Sequence, residues 1–245
     1  SASDSTFWAI GNAYDNQNGT TQVHALLIDW ELNVLKDFKR LSPQFKRVVG
    51  FNLIDVDSVI VACGYQTSPF VPAYWVWDST GNVIFSATID SLGGAMSALK
   101  FHKGRILFGL ANTAFYSRGE ISKSDFSLMS LITDTGMTSQ AFLSISGFVN
   151  STSDTIYAYG RQKDYIFSIM KIDSSLGLIG LDTFPHSPGT RVMVERGMLD
   201  ASGDSRVYFV TADNPKFSST DLKPGLTNVM KLWRVDTKGN VIWSV

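Results

Sequence analysis

The chain has one cysteine in 245 residues, Cys63, so it can close no internal disulfide and build no cysteine-based metal cage. Charge is also scarce. Charged residues make up only 18% of the chain and the formal net charge is -1, which leaves no basic face of the kind that nucleic-acid backbones require. No apolar run reaches the length of a membrane-spanning helix, because the most apolar stretch, "VVGFNLIDVDSVIVACG", is interrupted by Asp55 and Asp57. Helical periodicity is nearly missing, with at most one turn at "SPQFKR". Glutamate occurs only as Glu31, Glu120 and Glu195, and histidine only as His24, His102 and His186. Scattered over a strand, a turn and a loop, the histidines lack metal-ligand spacing, so no metal and no cofactor is expected.

What the chain does contain is repetition. The closing phrase "KLWRVDTKGNVIWSV" echoes the earlier "YWVWDSTGNVIFSA". Aligning on these gives five hairpin copies: "LIDWELNVL", "VWDSTGNVI", "ISKSDFSL", "KIDSSLGLI" and "RVDTKGNVI". In each, alternating apolar residues enter a polar turn and leave on a second apolar run, and the two Gly-Asn pairs supply residues that tolerate positive φ. Asp29, Asp78, Asp173 and Asp236 recur at one place in the hairpin, and the third copy lacks its Asp. Recurrence in nearly every copy points to turn capping by the carboxylate, since an active site normally breaks symmetry.

A small residue followed by a bulky apolar one precedes each hairpin, at Gly50, Ala98, Gly147 and Gly197, about 49 residues apart. A polar turn and a further strand come next, as in "SVIVACGY" and "RVYFVTAD". Each unit therefore reads as four consecutive antiparallel strands, and this period suits propeller blades. The expected fold is all-β: a five-bladed β-propeller in one domain, with blades near 1–42, 43–92, 93–138, 139–186 and 187–245. A β-sandwich also has short strands, but it does not call for self-similarity at a fixed long period.

The first unit begins directly with its second strand, "FWAIGNAY", which aligns with "VIVACGY". By this count the first blade lacks its innermost strand. Phe7, Trp8, Ala9, Ile10, Gly11 and Asn12 then form an acceptor edge that a strand from another source should cover. Head-to-tail donation between copies would give a fibre.

The phrase "NVMKLWRVDTKGNVIWS", with its pattern K/R-x-D-x-x-G-N-x-x-W, resembles the repeat of secreted and cell-surface β-propeller proteins. The resemblance implies the fold, and it implies a non-catalytic interaction or surface module at an extracellular location. On that reading the chain is a non-enzymatic assembly unit, pairing with itself or with a chain that supplies a strand. Two other readings stand beside it. One is a glycan- or ligand-binding propeller using loop aromatics such as Tyr74, Trp75 and Phe217. The other is a glycoside-acting enzyme centred on the channel, where Glu195 lies beside Arg191 in an expected inner strand. Asn18 and Asn150 stand in N-x-S/T sequons in expected loops and are candidate glycosylation sites. Pro-bearing loops at "QTSPFVPAY", "FPHSPGT" and "NPKFSSTDLKPGLTN" are where a ligand would be met.

Overall fold

A computed structural model of the chain describes residues 6–15, 17, 19–41, 48–111, 116–134, 142–149, 154–162, 167–183, 206–213, 229–236 and 241–244. Regular structure in these residues is entirely β. The first sheet contains β1 (Thr6–Asp15), β2 (Thr20–Asp29) and β3 (Val34–Leu41). The second contains β4 (Val48–Val56), β5 (Val59–Gln66), β6 (Val71–Trp77) and β7 (Val83–Thr88). The third contains β8 (Ala95–His102), β9 (Arg105–Ala111), β10 (Tyr116–Ile121) and β11 (Leu128–Asp134). The fourth contains β12 (Phe142–Val149), β13 (Ile156–Gln162), β14 (Phe167–Ile172) and β15 (Leu178–Thr183). The fifth contains β16 (Arg206–Asp213), β17 (Val229–Asp236) and β18 (Val241–Ser244). Strand order follows chain order in every sheet, as expected for consecutive hairpins.

The chain divides into two compact units, Ser1–Asn112 with Ser117–Thr133, and Thr113–Tyr116 with Asp134–Val245. In the first unit, β6 shows how an apolar strand joins three sheets. Its residues Val71–Trp77 are all buried. Successive side chains of a strand point to opposite faces, so Trp75 and Trp77 pack with Val23, Ala25 and Phe38 of the first sheet. Tyr74 and Val76 pack the other way, with Met96, Leu99, Ile106 and Phe108 of the third. In the second unit, Ile156, Ala158, Ile169, Met170 and Ile172 are buried on β13 and β14. Lys171 pairs with Asp182 at 2.7 Å between β14 and β15.

The repeated Asp closes the turn at Asp29, Asp78 and Asp173 as the sequence suggests, and the turn after Asp236 lies outside the described residues. Oδ1 of Asp29 accepts from the N–H groups of Glu31 and Asn33, at 2.9 and 2.8 Å. Oδ1 of Asp78 accepts from Thr80 and Asn82 at 2.8 and 3.0 Å, and Oδ1 of Asp173 accepts from Ser175 and Gly177, both at 2.8 Å. The residue three beyond the Asp turns left-handed each time: Leu32 (φ 67), Gly81 (φ 92) and Leu176 (φ 68). In the third sheet Ser122 stands in the Asp position, its Oγ accepting from Ser124 N–H at 3.3 Å, and Asp125 caps Ser127 from inside the turn. The loss of the Asp is made good locally.

The small-residue signature needs a correction of register. Gly50 faces Gly64, and Asn52 faces Cys63 across a bulge at Phe51. Met96 and Ala98 flank the same bulge at Ser97, and Ile145 and Gly147 flank it at Ser146. Counted from the strands opposite, Ala98 and Gly147 are therefore equivalent to Asn52, and Gly50 is equivalent to Met96 and Ile145. A bulge adds an unpaired residue, and no local sequence feature announced which position would carry it.

Candidate functional site

The candidate site is the side of β1 away from β2. Among the described residues, β1 and its counterpart β16 stand at the ends of their sheets, whereas the counterparts β5, β9 and β13 each lie between two strands. Pairing of Thr6 with Asp29 makes Phe7 equivalent to Ile60 and Gly11 equivalent to Gly64. In the second sheet that position is crowded. A Cβ placed on Gly64 would lie 1.7 Å from the carbonyl oxygen of Val49 and 2.9 Å from the Cα of Gly50, because the backbone of β4 runs there. A Cβ placed on Gly11 meets nothing within 4 Å among the described residues. Burial follows the same contrast: Ile60–Gly64 are buried, while Phe7–Gly11 are only half-buried and Asn12 is exposed.

The edge is rigidly backed. Trp8 packs on Phe38 with ring centroids 5.4 Å apart, and Phe38 in turn lies 6.4 Å from Trp77. Phe7 meets Trp30 at 5.8 Å, and Trp30 itself is largely exposed. Ile10 packs against the second sheet, where its Cδ1 would be 2.6 Å from a Cβ on Gly50. Asn12 holds both main-chain groups of Gly50. All six residues read from the sequence as an acceptor edge, Phe7 to Asn12, are thus brought together on one strand.

The other candidates separate. Tyr74 and Trp75 are strand residues of β6, 1% and 0% exposed, so neither belongs to a ligand-facing loop. Their apolar neighbours "VPAYWVW" form a strand covered on both faces, which a reading of the Pro-bearing stretch as loop overlooked. Tyr74 donates its hydroxyl proton to the carbonyl of Phe126 at 2.9 Å, and burial, followed by the nearby Asp125 charge, pushes its pKa up to about 12. Phe217, Glu195, Arg191, Asn18 and Asn150 lie outside the described residues. Of the remaining glutamates, Glu120 accepts from Arg105 Nε at 3.0 Å, and Glu31 sits in the first hairpin turn. His24 places Nδ1 2.9 Å from Asp37 and Nε2 3.2 Å from Gln22. No cluster of three or more potential metal ligands occurs among the described residues. No helix among them is long and apolar enough to cross a membrane.

One aromatic group escaped the sequence reading. Phe51, the bulge residue of β4, lies 5.4 Å from Tyr65, and Tyr65 meets Phe70 edge-on at 4.8 Å. Phe70, from the β5–β6 loop, is 53% exposed, so one ring of the trio is offered to solvent. The signal was present in "QTSPFVPAY", but it pointed to Tyr74 rather than to Phe70.

Comparison with known proteins bears on the fold. No family model matches the chain. No curated protein matches it in sequence. Solved structures do match. A protein of unknown function from Bacteroides caccae is 13% identical with a TM-score of 0.57, covering 97% of this chain and 81% of that one. The Dos1 propeller is 13% identical with a TM-score of 0.51, covering 96% of this chain and 59% of its own. An apocarotenoid oxygenase of Synechocystis is 10% identical with a TM-score of 0.57, covering 98% and 57%. The chain thus spans less than two thirds of the length of the latter two. These likenesses define the class of fold, an all-β protein of antiparallel sheets, three of them four-stranded among the described residues, with a β-propeller among its structural neighbours.

Proposed function

We propose that the chain is a non-enzymatic assembly module, a five-bladed propeller whose first blade is completed by a β-strand donated from a second copy of the chain. The observation that supports this most directly is the contrast between Gly11 and Gly64: a Cβ at Gly64 would meet the β4 backbone, whereas one at Gly11 meets nothing within 4 Å among the described residues. A strand entering there would run antiparallel to β1 and repeat the pairing that β4 makes with β5. Main-chain hydrogen bonds would supply the affinity, and the half-buried Phe7, Trp8 and Ile10 would gain apolar cover. Strand donation in one direction around copies is heterologous and builds an open polymer. Such an assembly fits the extracellular or surface setting implied by the repeat phrase, with Asn18 and Asn150 as glycan acceptors.

Sedimentation of the chain over a concentration series tests this. The wild type is expected to form oligomers that dissociate on dilution, and Gly11→Val, which puts side-chain atoms where the donated backbone must pass, is expected to remain a folded monomer. Assembly that is untouched by Gly11→Val, or a wild type that stays monomeric throughout, removes the proposal.

A second reading, a glycan-binding propeller, draws on Phe70. An exposed ring braced by Tyr65 and Phe51 offers a flat apolar face on which a sugar ring can stack. Fluorescence titration with neutral oligosaccharides should then saturate in the wild type and be lost in Phe70→Ala. An unchanged titration in the variant would discard this reading.

A further inference from the structure

We infer that the exposed turn joining β2 to β3, through Trp30 and Leu32, extends the strand-acceptor surface and holds apolar side chains of the second copy just beyond the strand it donates. This rests on the strand-donation reading above. Trp30 and Leu32 are 72% and 74% exposed, more than any other large apolar residue among those described. Trp30 also breaks the repeat. The second, fourth and fifth copies of the hairpin have Ser79, Ser174 and Thr237 in its place, small hydroxylated residues that suit a solvated turn.

Leu32 adds a second observation. It shares the left-handed backbone of Leu176, φ 67 against φ 68, at the same place in its hairpin. That conformation is unfavourable for a residue with a side chain, and the second sheet avoids it by using Gly81. Leu176 offsets the cost by burial, being 2% exposed. Leu32 carries the same backbone cost with its side chain in solvent. Cover from a partner gives Leu32 what the chain itself gives Leu176.

The turn adjoins the edge at which that partner enters. Thr6 pairs with Asp29, the first residue of the turn, and the Phe7 ring lies 5.8 Å from that of Trp30. Phe7 and Trp8 point to opposite faces of β1. Trp8 packs on Phe38 toward the second sheet, so Phe7 and Trp30 meet on the other face. Register gives the direction of the donated chain. β4 begins opposite Gln66 and ends opposite Val59, whose equivalents in β1 are Ala13 and Thr6. A strand that repeats the β4 path beside β1 therefore enters near Ala13 and leaves near Thr6, and the residues after it emerge beside the turn. Apolar side chains there would take the exposed surface of Trp30 and Leu32 out of water. Asp29 and Glu31 in the same turn disfavour an acidic segment.

Sedimentation equilibrium of the full chain and its variants tests this, with thermal unfolding at low concentration measured beside it. Trp30→Ser is expected to weaken self-association by about tenfold or more, as loss of a buried aromatic contact implies, and to leave the midpoint of unfolding in place. Leu32→Gly is expected to weaken association by a similar factor while raising that midpoint. These two effects have opposite signs, so damage to the fold cannot produce them together. Trp30→Phe, which keeps an apolar ring, should associate like the wild type. Its emission should lack the shift to shorter wavelength that Trp30 contributes as the wild type assembles. Gly11→Val separates this inference from the reading beneath it. If Gly11→Val blocks association but Trp30→Ser and Leu32→Gly associate at wild-type strength, strand donation stands and the role of the turn is overturned. If Gly11→Val associates at wild-type strength, or the wild type stays monomeric, strand donation falls and the inference falls with it.

Discussion

The side-chain amide of Asn12 on β1 grips both main-chain groups of Gly50 on β4, donating from Nδ2 to the carbonyl at 2.9 Å and accepting from the N–H at Oδ1 at 2.7 Å. One side chain here substitutes for a strand partner. It fastens the first sheet to the second at the point where the bulge after Gly50 releases the β4 backbone from its pairing with β5. Asn12→Ala leaves a partly buried donor and acceptor unmet and is expected to cost about 1 kcal/mol. Asn12→Asp keeps the acceptor, loses the donor and should be nearly as costly. Urea unfolding of both variants measures this, and a loss well below that figure for either would show that solvent replaces the amide.

Gly64 and Gly11 occupy equivalent places and should respond oppositely to the same methyl group. Gly64→Ala forces a carbon against the Val49 carbonyl, so the second sheet must open, at about 3 kcal/mol or more. Gly11→Ala meets nothing within 4 Å among the described residues and should change the stability of the isolated chain by less than about 0.5 kcal/mol. Thermal unfolding at low concentration makes the comparison.

Acid should loosen the second hairpin. The hydroxyl of Thr80 and the N–H and amide of Asn82 hold the Asp78 carboxyl down at about 2. A carboxylate whose folded pKa is lowered adds stability that is complete above its ordinary value near 4 and disappears as pH falls through about 2. Asp78→Asn should therefore be less stable than wild type at neutral pH, with the gap closing in that window. A gap that is constant with pH would show that charge plays no part.

Leu32 carries a left-handed backbone with φ 67 in a turn where Gly81 does the same work in the second sheet, and it is 74% exposed. The left-handed region costs a side-chain-bearing residue about 1–2 kcal/mol, of which the entropy of glycine takes back part. Leu32→Gly should stabilise the chain by about 0.5–1 kcal/mol. The same change at Leu176, which shares the conformation but is buried, should give no such gain.

The hairpins and their Asp caps were legible in the residues because each is a local matter. A carboxylate reaches N–H groups two and four positions along, and the residues that allow this stand next to one another in the chain. Alternation of apolar and polar positions likewise marked the strands, and repetition at a near-constant interval marked the sheets they form. Tertiary structure decided the rest. That Tyr74 and Trp75 face two neighbouring sheets instead of solvent depends on side chains from residues far away in sequence. The bulges at Phe51, Ser97 and Ser146 shift the register by one residue, which no neighbouring residue specifies. Gly11 and Gly64 share one local sequence habit, yet among the described residues a backbone passes only beside Gly64, a difference that comes from packing and not from neighbouring residues.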